Sequence, residues 1–168
     1  VGELGWELHH PIEYQNHIFD KLIEFGKSLN LKPYGIRAMN SLRVEKSYKL
    51  VGTELSIEYS PYESGLDRFV HPNKGDFIGL AALNRWREKG FSNKLVTMEV
   101  QGVSDADVLG NNPIYSDDSV VGRATGGDFG FRLNKSIALG MVKPDLANVG
   151  QDLKIDILGK MHKVSIIE

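Results

Sequence analysis

The stretch VVGRATGGDFGFRLNKSIALGMV, residues 120–142, carries the strongest fold signal in the chain. Its apolar residues occur in short runs separated by glycine and asparagine, a pattern typical of strands joined by tight turns. Similar short runs, each bounded by Gly, Asn, Asp or Pro, are KLVTMEV (94–100), NPIYS (112–116), LKIDILG (153–159) and KVSIIE (163–168). Short strands at this spacing predict an all-β sandwich or barrel in the second half of the chain.

The first half of the chain has helical spacing instead. Apolar residues recur at helical intervals over 12–29, which predicts a first helix. The stretch RAMNSLRVEKSY (37–48) predicts a second helix, and the charges that begin at Arg43 are expected to form a solvated face. A third helix is expected to start after Asp76, as its N-cap, and to end at Gly90.

A strand-like piece with turns over 50–70 lies between the second and third helices. The change in character at FSNK, residues 91–94, predicts two domains. The first, over 1–92, is expected to be α+β, and the second, over 93–168, to be all β.

The opening VGELGWELHH (1–10) alternates apolar and polar residues, which predicts a strand. Its two faces would carry Leu4, Trp6 and Leu8, and Glu3, Glu7 and His9. A strand needs a neighbour to satisfy its backbone polar groups. The chain begins abruptly and without Met, so we expect a fragment whose cut surface favours self-association.

Glu7 is the candidate site residue in this opening segment. A carboxylate beside Trp6 on a partly covered strand needs a hydrogen-bond donor. One interpretation is a structural ion pair with Arg37 or Arg43. The other is that the two carboxylate oxygens accept paired N–H donors from a heteroaromatic ligand.

Composition excludes several classes of function. The 168 residues carry a net charge of −2 and contain no cysteine, so a basic nucleic-acid footprint, disulfides and thiolate metal sites are excluded. No apolar run reaches the roughly 18 residues that a membrane helix needs, and we expect no membrane partner. A reducing compartment, such as the cytoplasm or the mitochondrial matrix, is consistent with the lack of cysteine.

Candidate catalytic and cofactor motifs are weak when taken from residue types alone. The glycines at 122, 126, 127 and 130 lack the Lys-Ser/Thr and the following helix of a phosphate loop, so they are interpreted as strand bends. His9 and His10 are adjacent and would point to opposite faces of a strand, so they do not predict a metal site. No self-sufficient catalytic motif is found.

Four blocks in the first half and one in the second resemble a known family. GELGWEL (2–8), GIRAMNSLRVEKSY (35–48), SPYESGL (60–66) and DFIGLAAL (76–83) occur in order before the 120–142 stretch. Together they resemble the glycine cleavage T-protein (aminomethyltransferase) superfamily, most closely the C-terminal folate-binding halves of dimethylglycine and sarcosine dehydrogenases. The resemblance implies an α+β fold: a folate-binding α+β body followed by a C-terminal antiparallel β-barrel.

The same resemblance implies candidate folate-binding residues. Glu7 matches the glutamate that contacts the pterin edge, and Tyr48 matches a tyrosine beside the folate. Met39 occupies the position of the family arginine that precedes Ser-Leu-Arg. Arg37 is the candidate substitute, although a two-residue shift on a helix turns a side chain by about 200°.

The resemblance implies tetrahydrofolate as cofactor and transfer of a one-carbon unit from an amine-derived donor. The family's catalytic aspartate lies in an N-terminal part that these residues do not match, so no catalytic residue is assigned here, and a flavin would belong only to a missing domain. Two alternatives stay open. One is a non-catalytic folate-binding or RNA-modification-associated relative, and the other is a folate-dependent demethylase of a sulfur compound.

Overall fold

The computed structural model describes residues 4–103 and 105–167, which form three α-helices and six β-strands. The helices are α1 (Gln15–Gly26), α2 (Ile36–Val44) and α3 (Leu80–Lys89). The strands are β1 (Lys94–Val100), β2 (Pro113–Ser116), β3 (Ser119–Gly130), β4 (Lys135–Val142), β5 (Asp152–Ile157) and β6 (Lys160–Ile166). In the described part of the chain, all three α-helices precede β1.

The six strands close into an antiparallel barrel in the order β1-β4-β3-β2-β5-β6, with β6 pairing back to β1. Its interior is filled by alternate apolar residues such as Met98, Ile114, Ile155 and Val164, all fully buried. The predicted α+β class with a C-terminal antiparallel barrel is therefore confirmed.

The glycine cluster lies in β3, where two strands approach closely. A Cβ atom on Gly122 would lie 2.2 Å from the Met141 carbonyl oxygen, and one on Gly127 would lie 2.6 Å from the Ile137 carbonyl oxygen. The interpretation of these glycines as strand residues rather than a phosphate loop is confirmed.

The helix predictions hold in outline, with shifted ends. A 3₁₀ turn, α1 and a second 3₁₀ turn together cover 12–29, and Asn30 ends them in a left-handed conformation (φ 58°). The second helix stops at Val44 rather than at 48, because the chain turns there and Ser47 has a positive φ of 54°. The third begins at Leu80 after Gly79, whose φ is 96°, so Asp76 does not cap it.

Two predicted strands are wrong. Residues 4–10 form no strand, and Trp6 is 87% exposed. A strand is stable only when its backbone groups have partners, and no described residue pairs with this segment. Glu3, assigned to one face of it, lies outside the described residues. Over 50–70 the chain forms turns, with a single bridge between Val51 and Leu55 in place of a strand.

The second helix packs on the outer face of the barrel and fixes the position of the segment that follows it. Val44 is fully buried against Ile137 and Leu139 of β4. The Ser41 hydroxyl donates a 2.6 Å hydrogen bond to the Phe129 carbonyl oxygen. Because α2 covers its outer face, β4 is buried on both sides from 136 to 142.

By contrast, α1 exposes its apolar face. The side chains of Ile18, Leu22 and Phe25 on this helix, and of Leu29 in the 3₁₀ turn after it, line an open groove of about 460 Å³. Phe25 is 70% exposed, so this face has no cover from the described chain. No helix in the described ranges combines the length and the apolar content that crossing a bilayer requires.

Candidate functional site

A buried ion pair joins α2 to the segment after it. The Glu54 carboxylate is fully buried and lies 3.3 Å from Nη1 of Arg43, which is itself buried. Its Oε2 also accepts hydrogen bonds from the Leu50 amide (2.8 Å) and the Thr53 hydroxyl (2.6 Å). Its Oε1 accepts one of 2.5 Å from the Thr125 hydroxyl of β3. One carboxylate thus connects the helix, the turn and the barrel.

The carboxylate of Glu54 stays charged despite its burial. Burial by itself raises the pKa of this group, because the charged form loses its hydration. The hydrogen bonds from Thr125, Thr53 and Leu50, together with the charge of Arg43, outweigh burial and leave the pKa below its ordinary value. The pair is therefore ionised at neutral pH.

The Arg43 guanidinium also donates hydrogen bonds to two neighbouring residues. Its Nη1 donates a 2.9 Å hydrogen bond to the Tyr48 carbonyl oxygen, and its Nε donates one of 2.9 Å to Asn40 Oδ1. Asn40 Nδ2 in turn donates to Asp128 Oδ2 of β3 at 2.9 Å. The backbone at Tyr48 is therefore fixed to the barrel through Arg43 and Asn40.

An open cleft of about 390 Å³ lies beside Arg43, and we call it the Tyr48 cleft. Its walls are Met39, Arg43, Tyr48, Lys49, Leu50, Leu55, Gly65, Leu66, Arg68 and Phe69. Most of these are apolar or aromatic, and three are cationic. Lys46 lies 5.7 Å from the centre of the Tyr48 ring. Such a cleft suits a ligand with a flat ring system and an anionic end.

Only one of the three predicted site residues lines this cleft. Tyr48 does, and Met39 lines it too. Arg37 lies outside it and donates to Asp107 Oδ2 at 2.6 Å. Glu7 also lies outside it, with an exposed carboxylate 3.6 Å from His9 Nε2.

The predicted ion pair between Glu7 and an arginine is wrong. Arg37 pairs with Asp107, and Arg43 pairs with Glu54. Glu7 is 89% exposed, so water satisfies its carboxylate and it needs no structural partner. The prediction that the charges from Arg43 onward form a solvated face is also wrong for Arg43, which is 6% exposed.

Residue patterns did not identify Glu54 or Thr125 as parts of the site. The signal that was available for Glu54 is a single carboxylate between the apolar residues of LVGTELSI (50–57). A second missed cluster centres on Arg123, whose guanidinium donates to Tyr59, Asn111 and Glu58. This cluster holds the 58–59 segment against the barrel.

Two family models match the chain. Residues 1–74 match the GCVT N-terminal domain, and residues 93–168 match the glycine cleavage T-protein C-terminal barrel domain. The chain is also similar to a solved structure, the glycine cleavage system aminomethyltransferase T from Bartonella henselae. The TM-score is 0.80 at 22% identity, over 94% of this chain and 44% of that one. At this identity the structural match shows a shared fold.

The chain is 37% identical to human mitochondrial dimethylglycine dehydrogenase, over 100% of this chain and 19% of that protein. It is 36% identical to an aminomethyltransferase of Desulfitobacterium hafniense, over 99% of this chain and 45% of that protein. The chain thus spans less than half the length of either relative. Because the two domain matches leave out only residues 75–92, the chain belongs to the glycine cleavage T-protein family.

Proposed function

We propose that this chain is the tetrahydrofolate-binding portion of an aminomethyltransferase-like one-carbon transfer enzyme. The observation that carries the proposal is the Tyr48 cleft, which combines apolar and aromatic walls with cationic residues. Family membership supports it, because aminomethyltransferases of this family are in general folate-dependent. The two named relatives are both enzymes, which favours this function over a non-catalytic binding module.

The chemistry of the cleft walls fits a folate. The Tyr48 and Phe69 rings and the leucine side chains offer stacking and apolar contact to a ring system. Lys49 and Arg68 offer ammonium and guanidinium donors to the carboxylates at the other end of the molecule. Bound tetrahydrofolate would serve as acceptor of the one-carbon unit from an amine-derived donor. The role of this chain is therefore to bind and orient that acceptor.

We also propose that the domain boundary lies at residues 91–94. The first family match ends at 74, the second begins at 93, within this segment, and β1 begins at Lys94. In this arrangement the Tyr48 cleft belongs to the first domain, and the second domain supports it through β3.

Replacement of Tyr48 by alanine tests the proposed function. Loss of the ring removes a stacking surface from the cleft, and we expect tetrahydrofolate affinity to fall by about tenfold. Isothermal titration of tetrahydrofolate into the chain under anaerobic conditions measures it. Tyr115→Ala, on β2 and outside the cleft, is the matched control and should bind as the wild type does. A wild-type chain that does not bind tetrahydrofolate would overturn the proposal.

The same titration decides whether Glu7 contacts the ligand. Loss of a hydrogen bond to a charged group costs about 1.5–3 kcal/mol, so Glu7→Gln would weaken binding by roughly ten- to a hundredfold if Glu7 holds the pterin. Its melting temperature should not change, because the carboxylate is exposed and pairs only with His9 among the described residues. Unchanged affinity would leave Tyr48 as the ligand contact and remove Glu7 from the site.

We propose further that the apolar face of α1 mediates self-association. The exposed groove of Ile18, Leu22, Phe25 and Leu29 is contiguous, and apolar surface of this kind favours contact between copies. Light scattering at rising concentration should give a mass above the monomer. Leu22→Glu should return it towards the monomer, whereas Leu158→Glu, also on an exposed leucine but on the barrel, should not. A wild-type monomer at high concentration would contradict this proposal.

A further inference from the structure

We propose that Glu54 is a positioning residue that sets the geometry of the Tyr48 cleft through Arg43. Glu54 does not line the cleft, whereas Arg43 and Tyr48 both do. The inference rests on the proposed folate-binding role of the cleft for its functional meaning. The effect of Glu54 on the positions of Arg43 and Tyr48 does not depend on that role and is tested separately, without ligand.

The contacts form a continuous path from the barrel to the cleft. Thr125 of β3 donates to Glu54 Oε1, and Glu54 Oε2 faces Arg43 Nη1. The same Nη1 donates to the Tyr48 carbonyl oxygen, while the Tyr48 amide donates to the Arg43 carbonyl oxygen at 3.0 Å. Arg43 and Tyr48 are therefore linked in both directions, and Glu54 is the counter-ion that holds the guanidinium in place.

The local turn depends on the same carboxylate. Glu54 also accepts hydrogen bonds from the Leu50 amide and from the Thr53 hydroxyl. Leu50 lines the cleft two residues after Tyr48. Both ends of the 48–50 segment are thus fixed by one buried anion, directly at Leu50 and through Arg43 at Tyr48.

The variant Glu54→Gln removes the negative charge of the side chain and keeps its shape. Glutamine is isosteric, and its oxygen still accepts from the Leu50 amide when its NH₂ faces the Thr125 hydroxyl, which then accepts. What is lost is the negative charge opposite Arg43. A buried guanidinium without a counter-ion moves towards water or other acceptors, and its hydrogen bond to the Tyr48 carbonyl oxygen is weakened.

A ligand-free experiment tests the positioning directly. The chain has six tyrosines, so ¹⁵N-tyrosine labelling gives six amide signals, of which Tyr48 is assigned by its loss in Tyr48→Phe. We expect the Tyr48 amide to shift in Glu54→Gln and to stay in place in Ile155→Val, a destabilising change in the barrel core. If Glu54→Gln does not fold, Thr125→Val removes one contact to Glu54 and should move the same signal less. An unmoved Tyr48 amide in the folded variant overturns the inference.

A double-mutant cycle tests the consequence for binding. We expect Glu54→Gln to weaken tetrahydrofolate binding by about tenfold, a coupling typical of residues in one hydrogen-bonded network. In the Tyr48→Ala background it should cause little further loss, and Ile155→Val should bind normally. Wild-type affinity in Glu54→Gln, or additive losses in the double variant, would overturn positioning through Tyr48. A wild-type chain that fails to bind tetrahydrofolate instead overturns the proposed function, and the amide shift still decides the geometry.

Discussion

Arg43→Leu is expected to lower the free energy of unfolding by about 3–5 kcal/mol, because it leaves the buried Glu54 carboxylate without its cation. Glu54 is fully buried, so water cannot solvate the carboxylate once its cation is removed. The substitution also removes the guanidinium donors to Asn40 and to the Tyr48 carbonyl oxygen. Urea denaturation followed by circular dichroism measures the change.

Arg37→Leu is the matched control on the same helix. Arg37 also forms an ion pair, with Asp107 at 2.6 Å, but its side chain is 75% exposed. Exposed ion pairs contribute about 0–1 kcal/mol, so this variant should unfold close to the wild type. Equal losses in the two variants would show that burial of the Arg43–Glu54 pair is not the source of the effect.

The pH dependence of stability has a defined sign for the same pair. Since the pKa of Glu54 is lower in the folded chain than its ordinary value of 4.5, the folded state binds this proton less readily than the unfolded state. The contribution of Glu54 to stability is therefore complete above that ordinary value. It is lost as the pH falls through the lower pKa of the folded state. Arg43→Leu should reduce this acid-dependent loss, because the charge of Arg43 is one of the causes of the shift.

The strands of the second half were predictable from the sequence because their signals are local, whereas their closure into a barrel was implied only by the family resemblance. Each strand is a short apolar run closed by Gly, Asn, Asp or Pro, and neighbouring runs pair as antiparallel strands. The opening segment was not predictable in the same way. Alternation over 4–8 is compatible with a strand, but a strand forms only where a partner strand lies beside it, and alternation contains no information about the partner.

The candidate site was likewise predictable only in part. Tyr48 was available from the resemblance of one contiguous block, and it lines the cleft. The Arg43–Glu54 pair was missed because only its burial distinguishes it from an ordinary surface ion pair. That burial depends on packing against Thr125, which lies 71 positions from Glu54. Charge patterning over 43–49 favours a solvated face, and only the tertiary contacts with β3 reverse that prediction for Arg43.

Gly122→Ala is expected to lower the free energy of unfolding by about 3 kcal/mol, through overpacking between strands. Its Cβ would lie 2.2 Å from the Met141 carbonyl oxygen and 2.9 Å from the Val142 Cα atom. Both are backbone atoms of β4, so relief requires the strands to separate. Gly122 pairs with Val142 in β4 and with Ile114 in β2, and separation would break ladder hydrogen bonds that join β3 to its neighbours.

Gly126→Ala, four residues along the same strand, is the control for backbone entropy. Its Cβ would meet only Arg43 Nη2, at 3.8 Å, which is ordinary van der Waals contact. An alanine that fits without strain stabilises a protein by about 0.4–1 kcal/mol, because it restricts the unfolded chain. Both variants are Gly→Ala changes in β3. The free energy of unfolding measured by urea denaturation should therefore fall for Gly122→Ala and rise for Gly126→Ala. A Gly122→Ala variant as stable as Gly126→Ala would show that β3 and β4 do not approach as closely as the barrel requires.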